Sequence, residues 1–186
     1  MGKFEIRKTG LQGLVTIEPT VYGDNRGFFM ETWNRRDFEQ IGLSCDFVQD
    51  NLSSSKKGVL RGLHFQKNHP QGKLVHVLVG EVFDVAVDIR KESPSFGKWF
   101  GTVLSSEKKN VIYVPEGFAH GFLVLSETAM FSYKCTRYYD MVDEGGIIWS
   151  DKDIGVEWPV EDVSEIILSE KDKLYPMLKD LKIKQA

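Results

Sequence analysis

An all-β fold, a sandwich or barrel with a few short helices, is the class this sequence predicts. Three observations carry that expectation. Apolar residues alternate with a period of two through the middle of the chain. Short apolar runs are punctuated by turn residues, and helix signals are confined to the two ends.

The elements follow in order. Asn34 is placed to cap a short helix that carries Phe38 and Ile41 on one side and ends at Gly42. From Val75 to Ile89 the odd positions are apolar: Val75, Val77, Val79, Phe83, Val85, Val87 and Ile89. Gly80-Glu81 interrupts this run, which reads as two strands or one bent strand. Val111–Val114, Phe118–Leu125 and Ala129–Thr136 are further strands, separated by turns at Pro115-Glu116-Gly117 and Ser126-Glu127-Thr128. Near the C-terminus, Ser169-Glu170-Lys171-Asp172 has the pattern of a capping box before Leu174, Leu178 and Leu181, although Pro176 limits regular helix.

The 186 residues, at roughly 100–200 per domain, predict one domain over 1–186. Hydrophobic residues make up 41% and charged residues 27%, which excludes a disordered or fibrous chain. A net charge of −3 without a basic block argues against nucleic acid as a partner. Cys45 and Cys135 lack CxxC spacing, which predicts free thiols and a reducing, cytoplasmic location. MGKFEIRKTG has no apolar signal core, and no apolar run reaches the roughly 18 residues of a membrane span. Ile6 stands where a myristoylation signal needs Ser or Thr.

Four segments concentrate polar residues among the strands: 23–31, 48–51, 58–73 and 114–122. His64 lies between Leu63 and Phe65 and has the side chain best suited to take a proton near pH 7. It also reads as a half-buried structural histidine. In a regular strand Arg61 and His64 face opposite sides, but a bulge at Gly62 would turn both into one cavity. Arg26, Arg61 and Lys73 suit a phosphate ester, although each alone reads equally well as a solvated charge. A metal is not expected: Gln66 stands where an HxH pair would need its second histidine, and His64, His69 and His76 are not spaced as a ligand set. There is no phosphate-binding Gly–Lys loop, dinucleotide fingerprint or GxSxG elbow.

From about Val15 to Lys173 the chain resembles the dTDP-4-dehydrorhamnose 3,5-epimerase family. The blocks that carry the resemblance include Gly23-Asp24-Asn25-Arg26-Gly27-Phe28-Phe29, Phe47-Val48-Gln49-Asp50-Asn51 and Gly58-Val59-Leu60-Arg61-Gly62-Leu63-His64-Phe65-Gln66. Gly72-Lys73-Leu74-Val75, residues 80–90, Val114-Pro115-Glu116-Gly117-Phe118-Ala119-His120-Gly121-Phe122 and Leu168-Ser169-Glu170-Lys171-Asp172 continue it.

The resemblance implies a cupin-type jelly roll, a homodimer and an epimerase without cofactor. It implies inversion of dTDP-4-dehydro-6-deoxy-D-glucose at C3 and C5, a step of dTDP-L-rhamnose synthesis. Position by position, it implies His64 as base, Asp172 as its dyad partner and Tyr133 as acid. Arg61 and Lys73 fall in active-site blocks, with Lys73 the candidate cation for an enolate oxygen. Arg26, Glu31, Gln49, Asp50, Asn51, His120, Glu144 and Lys171 match positions that hold the nucleotide sugar, and Tyr139 the residue that stacks on thymine. Asp84 falls in a family block without an assigned role. Two rival readings stand beside this one: a C3-only epimerase or keto-isomerase on a similar sugar, and a noncatalytic sugar-binding barrel, which would need no paired base and acid.

Overall fold

The computed structural model describes residues 3–181. Its elements are β1 (Phe4–Lys8), β2 (Val15–Pro19), β3 (Tyr22–Asp24), β4 (Gly27–Phe29), α1 (Arg35–Gln40), β5 (Gln49–Lys56), β6 (Leu60–Gln66) and β7 (Lys73–Val79). There follow β8 (Glu81–Asp88), β9 (Trp99–Ser105), β10 (Val111–Val114), β11 (Phe118–Val124), β12 (Thr128–Cys135) and β13 (Glu144–Gly146). Single 3-10 turns lie at Val160–Asp162 and Leu178–Asp180.

Two main sheets result, ordered β1-β2-β10-β7-β12-β5 and β13-β6-β11-β8-β9, while β3 and β4 form a separate hairpin. The pairing within them is antiparallel. The two sheets enclose a core that includes Val75, Val77, Ile112, Val114, Ala129 and Phe131 from one side and Val82, Ala86, Phe118, Phe122 and Val124 from the other. This is a jelly-roll sandwich of the cupin type, with the two sheets not joined into a closed barrel.

The outer face of each sheet is covered unevenly. Phe38 of α1, with Trp33 and Phe47, closes the outer face over Val15, Ile17, Leu74 and Val111. Residues of the C-terminal segment, among them Ile147, Ile154, Trp158 and Leu178, close the outer face of the five-stranded sheet over Leu60, Val85, Val87 and Leu123. Apolar area removed from water on both faces of a sheet is the main stabilising term of such a layered fold.

Gly80, at φ +77°, separates β7 from β8, so the interrupted run is two strands, and they belong to different sheets. The shared odd parity therefore has two meanings. Val75 and Val77 face the inter-sheet core, whereas Val85 and Val87 face outward beneath the C-terminal segment. On β8 the even residues Val82 and Ala86 face inward. The short helix forms as expected, with the Asn34 side chain accepting from Asp37 N and Phe38 buried. The C-terminal helix does not form. Asp172 N does donate to Ser169 Oγ at 3.2 Å, as a capping box would have it. The chain then makes turns and reaches Pro176, which cannot donate to a helical ladder.

Candidate active site

A cavity of about 490 Å³ opens between the two sheets. Its walls are set by strand alternation. β6 supplies Arg61 and His64, β7 supplies Lys73, β11 supplies His120, and β12 supplies Phe131 and Tyr133. The segment Ile167–Asp172, together with Tyr139 and Glu144, forms the rim.

Arg61 and His64 share the cavity because β6 is irregular at Gly62. That residue has φ +130°, and the pairing with β11 shifts register between His120 and Phe122. A Cβ on Gly62 would lie 2.5 Å from Gly121 Cα, so the two backbones approach as only glycine permits.

His64 Nε2 lies 2.6 Å from Asp172 Oδ1, across 108 residues of sequence. The segment that delivers Asp172 is pinned at both ends. Ile167 N donates to Gly58 O and Leu60 N to Ile167 O; further on, Ile148 N donates to Pro176 O and Leu178 N to Asp151 Oδ2. The carboxylate thus sits in a strap fixed on the sheet that carries the imidazole.

Lys73 and Tyr133 lie on the opposite sheet from His64. Burial pushes the Lys73 ammonium below the usual lysine range, against the pull of Cys135 and Glu116. Burial pushes the Tyr133 phenol above its ordinary value, which keeps it a proton donor. Arg61 is steadied by Ser55, whose Oγ accepts from its Nε and Nη2 at 3.2 and 3.1 Å.

A second histidine–carboxylate pair stands beside the first. His120 is the register partner of His64 on β11, and its Nε2 lies 2.9 and 3.0 Å from the two oxygens of Asp84. At the rim, Glu144 accepts from Lys171 and Tyr175 on one oxygen and from Tyr139 on the other. Burial alone would raise the Glu144 carboxyl, but these donors hold it down to about 2. The hydrogen bond to Glu144, with some burial, pushes the Tyr139 phenol up to about 12. Among the described residues no three His, Cys, Asp or Glu side chains gather as a metal-ligand set.

Residues 8–180 match the family model described as dTDP-4-dehydrorhamnose 3,5-epimerase. The chain belongs to the dTDP-4-dehydrorhamnose 3,5-epimerase family. A relative of that name from Salmonella typhimurium is 57% identical over 173 residues, covering 92% of this chain and 93% of its own. One from Methanothermobacter thermautotrophicus is 53% identical over 180 residues, covering 97% of each. The crystal structure of a Legionella pneumophila epimerase in complex with dTDP-4-keto-L-rhamnose superposes with a TM-score of 0.92 at 49% identity, covering 96% of this chain and 95% of that one.

In this epimerase fold the expected site residues separate into three groups. His64, Asp172, Tyr133, Lys73, Arg61, His120, Tyr139, Glu144 and Lys171 all line the one cavity. Gln49 and Asn51 stand next to it: Gln49 accepts from Tyr139 N and donates to Asn51, and Asn51 reaches Cys135 Sγ. Arg26, Glu31 and Asp50 do not line the cavity of their own chain. Asp50 alternates with Asn51 and instead holds Lys134 at 2.6 Å. Arg26 is 86% exposed and grips Asp24, and Glu31 pairs with Lys3 and Asn34. The sequence reading missed Tyr175; the Gly145-Gly146 pair opposite His64 was the signal that something large occupies that space.

Proposed function

We infer that this chain inverts dTDP-4-dehydro-6-deoxy-D-glucose at C3 and C5, giving dTDP-4-dehydro-L-rhamnose for dTDP-L-rhamnose synthesis. The observation that carries the reading is the division of labour across the cavity. His64 stands on one sheet, held by Asp172 of the strap that crosses that sheet, with Lys73 and Tyr133 on the other.

The hydrogens on C3 and C5 both flank the C4 ketone, so losing either leaves an enolate. With Nε2–H donating to Asp172, the lone pair of His64 is on Nδ1, and that nitrogen takes the proton. Asp172 stabilises the imidazolium that forms. Lys73 meets the negative charge on the C4 oxygen, where a charge already in place costs no reorganisation. Tyr133 returns a proton from the opposite face, which completes the inversion; water then restores the Tyr133 proton and takes up the one left on His64. The ketone itself acidifies the carbon, so the scheme invokes neither metal nor organic cofactor. Arg61, His120, Lys171 and Glu144 surround the sugar and diphosphate, and Tyr139 at the rim offers its ring to the thymine.

A homodimer and a cytoplasmic location belong to the same proposal. Leu52 and Leu78 are exposed on the outer face of β5 and β7, where the C-terminal segment and α1 do not reach. The β3–β4 hairpin carries Arg26 with Phe28 and Phe29 exposed, an apolar and basic tip suited to a second copy and its bound nucleotide. Both cysteines are free thiols, as a reducing compartment would leave them.

Incubation with the keto sugar in deuterated water tests the activity. Deuterium is expected at C3 and C5, with product in the L-configuration. Exchange at C3 alone would assign a 3-epimerase instead, and no exchange at all would assign a binding protein.

A further inference from the structure

Gly146 of β13 pairs with His64 of β6, so the catalytic imidazole has a residue without a side chain as its neighbour. That space is not empty. A Cβ on Gly146 would lie 2.4 Å from a ring carbon of Tyr175, so the Tyr175 ring fills the place a side chain would take. The same ring meets His64 edge to face, with centroids 5.7 Å apart and planes at 70°. Its hydroxyl donates to Glu144 Oε1 at 2.7 Å. Glu144 lies two positions before Gly146 on the same strand, and its carboxylate stays ionised to about pH 2 because Lys171, Tyr139 and Tyr175 all donate to it. Next to Tyr175, Pro176 O accepts from Ile148 N at 3.0 Å and fixes the backbone.

Tyr175 does not line the cavity, so it stands behind the base rather than against the substrate. It lies three residues after Asp172, on the strap that also delivers the dyad carboxylate. Two contacts from one strap therefore bear on one imidazole. Asp172 sets which nitrogen carries the proton, and the Tyr175 ring limits how the imidazole can turn. An ion pair alone fixes one atom and leaves rotation about that contact; an aromatic wall removes it.

We propose that Tyr175 is a positioning residue for the catalytic base: its ring, seated on Gly146 and anchored through Glu144, holds the His64 imidazole where Asp172 grips Nε2 and Nδ1 is left for the substrate. The proposal rests on His64 being the base. The work is done by the ring, while the hydroxyl anchors it.

The test compares Tyr175→Leu, Tyr175→Phe and Gly146→Ala with His64→Asn, reading deuterium exchange at C3 and C5, kcat and KM. Tyr175→Leu removes the wall and is expected to lower kcat and exchange at both carbons about 10- to 100-fold, as a misplaced catalytic group does. KM should stay within about threefold of the parent, since the side chain does not face substrate. Tyr175→Phe keeps the ring and should stay within about threefold in kcat. Gly146→Ala pushes the ring away with every polar contact partner still present, and should resemble Tyr175→Leu; it carries the test if that variant does not fold. The proton NMR signal of His64 Nε2–H should broaden in Tyr175→Leu and persist in Tyr175→Phe. Parent-like exchange in both Tyr175→Leu and Gly146→Ala would overturn the proposal. So would a raised KM with intact kcat, or a Tyr175→Phe loss as large as that of Tyr175→Leu. If His64→Asn retains exchange, it is the assignment of the base that fails; if His64→Asn loses exchange while Tyr175→Leu does not, only the role of Tyr175 fails.

Discussion

Two histidines stand side by side in one sheet, in register, each with a carboxylate, and the two pairs differ in almost everything except chemistry. His64 and Asp172 are joined across 108 residues, one on β6 and one on the C-terminal strap. His120 and Asp84 come from adjacent strands, β11 and β8, and need no loop to meet. The His64 side chain is 30% exposed and His120 only 7%, with Asp84 fully buried. A base must reach a carbon-bound hydrogen and then exchange its proton, so access favours His64 as the base of the proposed reaction. The inner pair is a fixed piece of the wall. Its strength comes from burial, and burial is what keeps it from the solvent exchange a catalytic base requires.

The contrast makes opposite demands on the same substitution. His120→Asn should destabilise the fold by about 3–5 kcal/mol, because it leaves the Asp84 carboxylate buried without its partner. His64→Asn should cost less, because the ring it removes is 30% exposed to the cavity, although the Asp172 carboxylate, 3% exposed, also loses its partner. Chemical denaturation of the two variants checks this, and equal losses would break the comparison. Asp172→Asn should sharpen it. That change keeps the shape of the strap but weakens the hold on Nε2, and should lower C3 and C5 exchange about 10- to 100-fold, less than removing the base itself.

A smaller effect separates the cation from the acid on the opposite sheet. In the proposed reaction Lys73 acts as an ammonium, and burial lowers its pKa, so that contribution would be lost as pH rises through a value below the ordinary lysine range. Burial raises Tyr133, which therefore keeps its proton past the usual tyrosine range. The alkaline fall of kcat/KM should thus follow Lys73. Lys73→Arg, which stays charged, should move that fall to higher pH even where it lowers the maximum rate. A pH–rate profile with an unmoved alkaline limb would assign it to another group.

How far the sequence revealed this molecule depends on the element. Strands β10, β11 and β12 lie within one residue of where turn residues and apolar runs predict them. Such strands have one period and clear punctuation. Strand β8 misleads because both its faces are buried, so parity cannot say which side is the inter-sheet core. Gly62 signalled the irregularity that brings Arg61 and His64 together. The motif blocks marked Asp50 and Asn51 alike, but alternation sends one outward to Lys134 and the other inward to Cys135. Asp172 also read, as the lesser alternative, as the last member of a helix cap, because the carboxylate finds His64 only through the tertiary path of the strap. Tyr175 carried no pattern of its own; its place is legible only as the space above a glycine on a neighbouring strand.

The central claim is that one sheet removes the proton and the other returns it. The most direct measurement follows hydrogen exchange and inverted product together, in deuterated water, for His64→Asn and Tyr133→Phe. His64→Asn should lose exchange at both C3 and C5 by about 100- to 10,000-fold, the usual contribution of a general base. Tyr133→Phe removes only the phenolic donor, and should continue to exchange through His64 while forming little inverted product. Near parent-like exchange at either carbon in His64→Asn, or a parent-like yield of L-sugar from Tyr133→Phe, would contradict the two-sided account.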